Sequence, residues 1–79
     1  MKTLKDYIFI NDRNIEVDKK FIKKYNLSQV DIRELISLLT DKNEFTYTIN
    51  GNVAKVCKDL GYKVEDYDIG FKIYLKEEN

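Results

Sequence analysis

The stretch DKKFIKKYNLSQVDIRELISLLTD, residues 18–41, predicts two consecutive helices joined by a two-residue connection. Asp18 is suited to cap the first helix, and Asn26 can end it in the left-handed conformation. Ser28, followed three residues later by Asp31, is the signature of a capping box at the start of the second helix. These residues place the helices at 19–25 and 29–40.

Apolar residues in both helices recur at the spacing of one buried face. The second helix holds them at the i, i+3, i+4, i+7 positions of an amphipathic stripe: Ile32, Leu35, Ile36 and Leu39. The first helix has Phe21, Ile22 and Tyr25 on one side. Its other side carries lysines: Lys19, Lys20, Lys23 and Lys24. Both helices therefore require a packing partner.

Strand patterns lie on either side of this helical pair. Residues 5–10 and 15–17 predict a small N-terminal hairpin, with turn-forming residues between them. Residues 44–49 alternate strictly, and we expect Phe45, Tyr47 and Ile49 to face the core.

A third helix and a second pair of strands complete the chain. The helix follows the Asn50-Gly51-Asn52 turn, carries an apolar stripe and ends at Gly61. The strands are predicted at 62–65 and 71–76, with a turn at 66–70. The predicted fold is a single α+β domain over residues 1–79, in which a small, mostly antiparallel sheet of about four or five short strands packs on three helices in the order ββααβαββ.

Composition excludes the usual covalent and metal supports of small domains. The chain has 79 residues with one cysteine and no histidine, so it cannot close an internal disulfide and lacks the usual zinc ligand sets. Its stability must come from apolar packing. Basic and acidic residues number 14 each, and a neutral chain lacks the electrostatic field that gathers nucleic acid or an anionic membrane.

The chain shows no pattern for membrane insertion or export. Its longest N-terminal apolar run, residues 7–10, is too short for a transmembrane helix or a signal peptide. Together with a free cysteine, this predicts a cytoplasmic protein without membrane association.

Catalytic chemistry has little support in the sequence. No histidine is present to act as a general base near neutral pH. Cys57 falls on the apolar stripe of the third helix, which predicts a buried structural thiol rather than a nucleophile. Glu65, Asp66 and Asp68 cluster near a turn, but without the spacing of a calcium loop. We therefore expect no enzymatic activity, no cofactor and no metal site.

The segment FIKKYNLSQVDIRELI, residues 21–36, resembles the core of a DNA-binding helix-turn-helix. In that motif the start of the second helix meets base edges and phosphates. The resemblance assigns base contacts to Gln29 and Arg33. Phosphate contacts would come from the basic cluster: Lys19, Lys20, Lys23 and Lys24. Asp31 and Glu34 lie beside these residues and would repel phosphate, and a capped helical hairpin packed on a sheet explains the same pattern.

A second candidate surface lies on the C-terminal strand. If Phe71, Ile73 and Leu75 face the core, the opposite face presents Lys72, Tyr74 and Lys76, with Lys63 and Thr46 or Thr48 on neighbouring strands. Such a face can stack a nucleic-acid base, and it can equally bind a protein. The partly exposed Leu38 on the rim of the second helix would extend an apolar docking surface.

The sequence thus supports two functional hypotheses. The first is a non-enzymatic protein that docks on a larger protein partner. The abundance of lysine, asparagine, isoleucine and tyrosine indicates AT-rich coding DNA, which is compatible with a phage or mobile-element accessory protein that inhibits a host or defence enzyme. The alternative is a nucleic-acid-binding regulator that uses residues 19–37. An exposed sheet edge would also allow a homodimer.

Overall fold

The computed structural model of the protein describes residues 3–76. The chain forms a short 3-10 helix at Leu4–Asp6 and then three α-helices and five strands. In chain order these are β1 Ile8–Ile10, β2 Ile15–Val17, α1 Lys19–Tyr25, α2 Gln29–Thr40, β3 Phe45–Thr48, α3 Gly51–Asp59, β4 Val64–Tyr67 and β5 Gly70–Tyr74. The order ββααβαββ and the α+β class are as predicted.

The strands form two separate antiparallel sheets. β1 and β2 pair as an N-terminal hairpin, whereas the C-terminal strands form a three-stranded sheet in the order β3-β5-β4. α3 packs against all three strands of this sheet, and α2 packs beside α3. The helices therefore cover one face of the three-stranded sheet.

The N-terminal strand is shorter than the sequence pattern predicted. Residues 4–6 form the 3-10 helix because Asp6 accepts a hydrogen bond from the backbone N–H of Thr3, 2.7 Å away, and so closes a capping box. This turn buries Leu4 completely. The predicted strand at 5–10 was wrong in its first half, because local capping competes with strand pairing there.

The capping residues of α1 and α2 act as predicted. The carboxylate of Asp18 accepts hydrogen bonds from the N–H groups of Lys20 and Phe21. Asn26 ends α1 in the left-handed conformation with φ 50°. Ser28 and Asp31 form a reciprocal capping box, in which each side chain accepts from the other residue's backbone N–H. The bounds of both helices match the sequence prediction.

The hydrophobic core lies between the helices and the sheet. Its fully buried side chains include Leu4, Leu35, Val53, Val56, Cys57 and Ile73. Phe21 stacks on Tyr7 with ring centroids 4.3 Å apart and meets Tyr25 edge to face at 5.3 Å. The predicted inward residue of β5, Ile73, is thus at the centre of the core.

The predicted orientation of β3 was wrong. Phe45, Tyr47 and Ile49 are 38%, 61% and 83% exposed, while Thr46 and Thr48 lie on the helix-covered face. Thr48 donates a hydrogen bond to Glu34 of α2 and accepts one from the N–H of Asn50. The hydroxyl of Thr48 finds these partners on the inner side, in the middle of α2 and at the start of α3, where an aromatic ring could not form the same hydrogen bonds.

Candidate functional site

Aromatic and lysine side chains cover the face of the three-stranded sheet that the helices leave open. We define the aromatic face by four rings and two lysines on or beside the three strands: Phe45, Tyr47, Tyr67, Tyr74, Lys63 and Lys72. Cross-strand neighbours in an antiparallel sheet lie on the same face. The register therefore groups these side chains, since Phe45 lies opposite Tyr74 and Tyr47 lies opposite Lys72.

The rings of the aromatic face contact one another across the strands. The centroid of Tyr47 is 5.6 Å from that of Phe45 and 5.7 Å from that of Tyr67. The centroids of Phe45 and Tyr74 are 6.3 Å apart. These are the separations of interacting aromatic pairs, so the rings form one continuous cluster that spans β3, β5 and β4.

Lys72 lies at the centre of this cluster. Its Nζ is 4.0 Å from the Phe45 ring centroid and 4.8 Å from that of Tyr74, within cation–π range of both. The hydrogen bond to Tyr74 raises the pKa of Lys72 above its ordinary value, with smaller contributions from Tyr67 and Tyr47. The Nζ of Lys63 lies 4.9 Å from the centroid of the Tyr74 ring. Both ammonium groups therefore lie within cation–π range of a ring of this cluster.

An apolar groove extends the aromatic face at one end of the sheet. Ile49, which follows β3, and Ile69, in the β4–β5 turn, are 83% and 86% exposed. They line this groove together with Tyr47 and Tyr67. Exposed isoleucines gathered beside exposed tyrosines make a contiguous apolar patch, which is a mark of an interaction site in a soluble protein.

Carboxylates are interleaved with the lysines of this face. The hydroxyl of Tyr74 donates a hydrogen bond to Glu65, which lies directly opposite Lys72 in the sheet. Asp68 is exposed in the turn after β4, whereas Asp66 lies opposite Phe71 and so belongs to the other side of the sheet. The electrostatic field of the face is therefore mixed, and the acidic groups oppose binding of a phosphate backbone.

The structure brings together most of the residues predicted for protein binding. Lys63, Lys72 and Tyr74 belong to the aromatic face, and Lys76 is exposed just beyond β5 in a cleft that Lys63 and Tyr74 also line. Leu38 is partly buried against the hydrophobic core, which leaves little of it for docking. The threonines predicted to join this face lie on the opposite one.

Sequence reasoning missed the apolar part of this surface. Strict alternation in residues 44–49 separated the aromatic residues from the threonines correctly, but it assigned the aromatic residues to the core. It assigned Ile49 to the core with them, and it gave no sign of Tyr67 or Ile69. The signal that could have found this surface is the pairing of the aromatic residues of β3 with Tyr74 and Lys72 of β5. That pairing can be recognised only once the strand register is known.

The residues of the alternative nucleic-acid interface are all solvent-exposed: Lys19, Lys20, Lys23, Lys24, Gln29 and Arg33. Asp31, which lies between the two predicted base-contacting positions, is turned inward and only 7% exposed. Its carboxylate accepts hydrogen bonds from the side chains of Asn50 and Asn52, at 2.6 and 2.9 Å. The start of α2 is thus fastened to the start of α3.

The single thiol belongs to the hydrophobic core. Cys57 is completely buried, and burial raises the pKa of its thiol to about 12, so it is protonated at neutral pH. Within residues 3–76, no group of three histidine, cysteine or acidic side chains is placed to hold a metal ion. No helix in this range combines the length and hydrophobicity needed to cross a membrane.

Comparison with protein-family models, with curated proteins and with solved structures finds no match to this chain.

Proposed function

We propose that the protein is a non-enzymatic interaction protein that docks on a larger protein through its aromatic face and the adjoining groove. The observation that carries this proposal is the exposure of Tyr47, Tyr67, Ile49 and Ile69 on one surface, at 61%, 48%, 83% and 86%. These residues contribute nothing to the hydrophobic core. Burying them against a partner would therefore stabilise the complex without removing any contact of the core.

The chemistry of the face suits the centre of a protein interface. Tyrosine and phenylalanine supply large contact areas at a low cost in side-chain entropy, and they are enriched where binding energy concentrates. The rings are already held together by their mutual contacts and by Lys72. A partner would therefore meet a pre-ordered surface, which reduces the entropic cost of association.

The charge pattern indicates what the partner presents. Glu65 lies on this face directly opposite Lys72, and Lys63 lies two residues before Glu65 on the same side. The complementary patch would be apolar at its centre with both acidic and basic groups at its rim. A nucleic-acid strand offers bases for stacking but only negative charge at its edge, so it fits this face less well.

The proposed mode of action is binding without chemistry, through the apolar and aromatic side chains of the aromatic face. A small protein that binds without chemistry acts by occupying or masking a surface of its partner. Inhibition of a larger host or defence enzyme by a phage or mobile-element accessory protein is one such action, and we propose it for this chain. The reduced, buried Cys57 supports action in the cytoplasm.

A pull-down from the source cell with matched variants tests the docking surface. The double variant Ile49→Asp, Ile69→Asp places charges in the groove at highly exposed positions. Val30→Asp adds a single such charge away from the groove, at a residue of α2 that is 61% exposed. We expect mass spectrometry to find a protein retained by the wild type and by Val30→Asp but lost from the double variant.

Salt dependence completes this test. Retention through apolar contact should survive a rise from about 50 to about 500 mM salt, because screening weakens charge contacts far more than apolar burial. Equal retention by the double variant, or retention of the wild type only at low salt, would contradict the proposed surface.

A further inference from the structure

The outer edge of β3 has unpaired backbone groups. The N–H of Leu75 donates to the C=O of Glu44, and the pairing continues with Thr46 opposite Ile73 and Thr48 opposite Phe71. Backbone groups alternate in direction along an antiparallel strand. The N–H and C=O groups of Phe45 and Tyr47 therefore point away from β5, and within residues 3–76 no hydrogen bond satisfies them.

The two edges of this sheet differ in how they are protected against pairing. β4, at the other edge, carries Glu65 and Asp66, and two copies paired through β4 would bring these carboxylates together. β3 reads Phe-Thr-Tyr-Thr and has no charge and no proline. Charged side chains and proline are the usual protection of exposed edge strands. β3 has neither a charged residue nor a proline, whereas β4 has two charged residues.

We propose that a second copy of this chain pairs with β3 in antiparallel orientation across a two-fold axis. This inference goes beyond docking through the aromatic face, since it uses the strand edge and leaves Tyr67 and Lys72 open. Each copy would satisfy the outward backbone groups of Phe45 and Tyr47 of the other. An antiparallel pair of identical strands is self-complementary, as a two-fold interface requires.

Side-chain placement favours the same arrangement. Phe45 and Tyr47 share the open face of the sheet, so pairing would place these rings beside the corresponding rings of the second copy. Aromatic cross-strand pairs stabilise sheets. The dimer would join two aromatic faces into one continuous surface, and it would cover part of the exposed area of Phe45, Tyr47 and Ile49.

The length of β3 sets the expected strength of the dimer. A four-residue strand buries an area at the small end of specific interfaces, where association is weak and reversible. We expect a monomer–dimer equilibrium with a dissociation constant of about 1–100 µM. Sedimentation velocity across a concentration series that spans this range measures it directly on the full chain.

A matched pair of variants separates the edge from the face. Tyr47→Lys on β3 would place two like charges near the two-fold axis and should weaken the dimer about tenfold or more. Tyr67→Lys makes the same change on the same face, removes the same Tyr47–Tyr67 contact, and lies at the other edge. It should change the dissociation constant by no more than about twofold.

Amide hydrogen exchange gives a second measurement that does not depend on a variant. In the wild type, exchange at Phe45 and Tyr47 should slow as the protein concentration rises, while the outward N–H of Asp66 on β4 should not respond. A wild type that remains monomeric throughout the series would overturn the proposal. So would a dimer that Tyr67→Lys weakens as much as Tyr47→Lys, or one without added protection at Phe45 and Tyr47.

Discussion

Asp31 is the single residue on which most of the helical arrangement depends. Its backbone and side chain complete the capping box with Ser28. The same carboxylate accepts from the side-chain amides of Asn50 and Asn52, and Asn52 also donates to the C=O of Tyr25. One buried carboxylate therefore ties the end of α1 to the starts of α2 and α3. Burial acts to raise its pKa, but these hydrogen bonds outweigh burial and hold the pKa below the ordinary 3.8.

This shift predicts a pH-dependent contribution of Asp31 to stability. Because the pKa is lowered in the folded state, the contribution is fully present above the unfolded-state value and is lost as the pH falls through the folded-state value. We expect Asp31→Asn to lower the free energy of unfolding at pH 7 by about 1–3 kcal/mol. The difference from the wild type should shrink below about pH 4.

Urea unfolding of both proteins between pH 7 and pH 3 measures this contribution. The exposed Asp66 provides a control, since Asp66→Asn removes a carboxylate without disturbing the helix junction. If the free energy of unfolding changed with pH in the same way for the wild type and Asp31→Asn, the contacts between the three helices would not depend on the charge of Asp31.

Among the secondary-structure elements, the close approach of β5 to the end of β3 requires a glycine. Gly70 begins β5, where it passes so close to β3 that an added Cβ would lie 2.5 Å from the carbonyl oxygen of Thr48. That contact is with backbone, which cannot move aside without distorting the sheet. At Gly51, the first residue of α3, an added Cβ would lie 3.9 Å from Cε2 of Phe71, which is an ordinary contact.

These two glycines should respond in opposite ways to alanine. Gly70→Ala is expected to destabilise the protein by about 1–3 kcal/mol, because the sheet must shift to accept the methyl group. Gly51→Ala should leave stability unchanged or raise it by up to about 1 kcal/mol, since alanine restricts the unfolded chain and favours a helix. Thermal unfolding of both variants tests this, and a Gly70→Ala protein as stable as the wild type would contradict the close approach.

At the scale of the whole molecule, charge is balanced and its signs are mixed. The chain carries 14 basic and 14 acidic residues, and Glu65 lies beside Lys72 on the aromatic face. The four exposed lysines of α1 form the strongest basic cluster, and Gln29 and Arg33 remain accessible on α2. Long-range attraction to a polyanion is therefore weak, whereas a protein surface of mixed charge meets no overall repulsion.

The charge balance predicts that duplex DNA is not retained by the wild type at about 50 mM salt, a condition that favours phosphate contacts. An electrophoretic shift assay measures this directly. If a shift appears, the double variant Lys23→Glu, Arg33→Glu decides its origin, since both side chains are exposed and lie outside the core. A shift that this variant abolishes would replace the docking function with the nucleic-acid-binding alternative.

The sequence alone determined the element order, the bounds of α1 and α2 and the inward position of Ile73. Caps act over three or four residues and apolar periodicity reports one face of one element, so both are readable without knowing the neighbours. Which side of β3 faces outward could not be read from the strand pattern, because aromatic residues and threonines are equally good strand formers and packing against the neighbouring helices chooses between them. Glu34 in the middle of α2 and Asn50 at the start of α3 hydrogen-bond Thr48 on the inner side, and that orientation places the rings of Phe45 and Tyr47 on the surface.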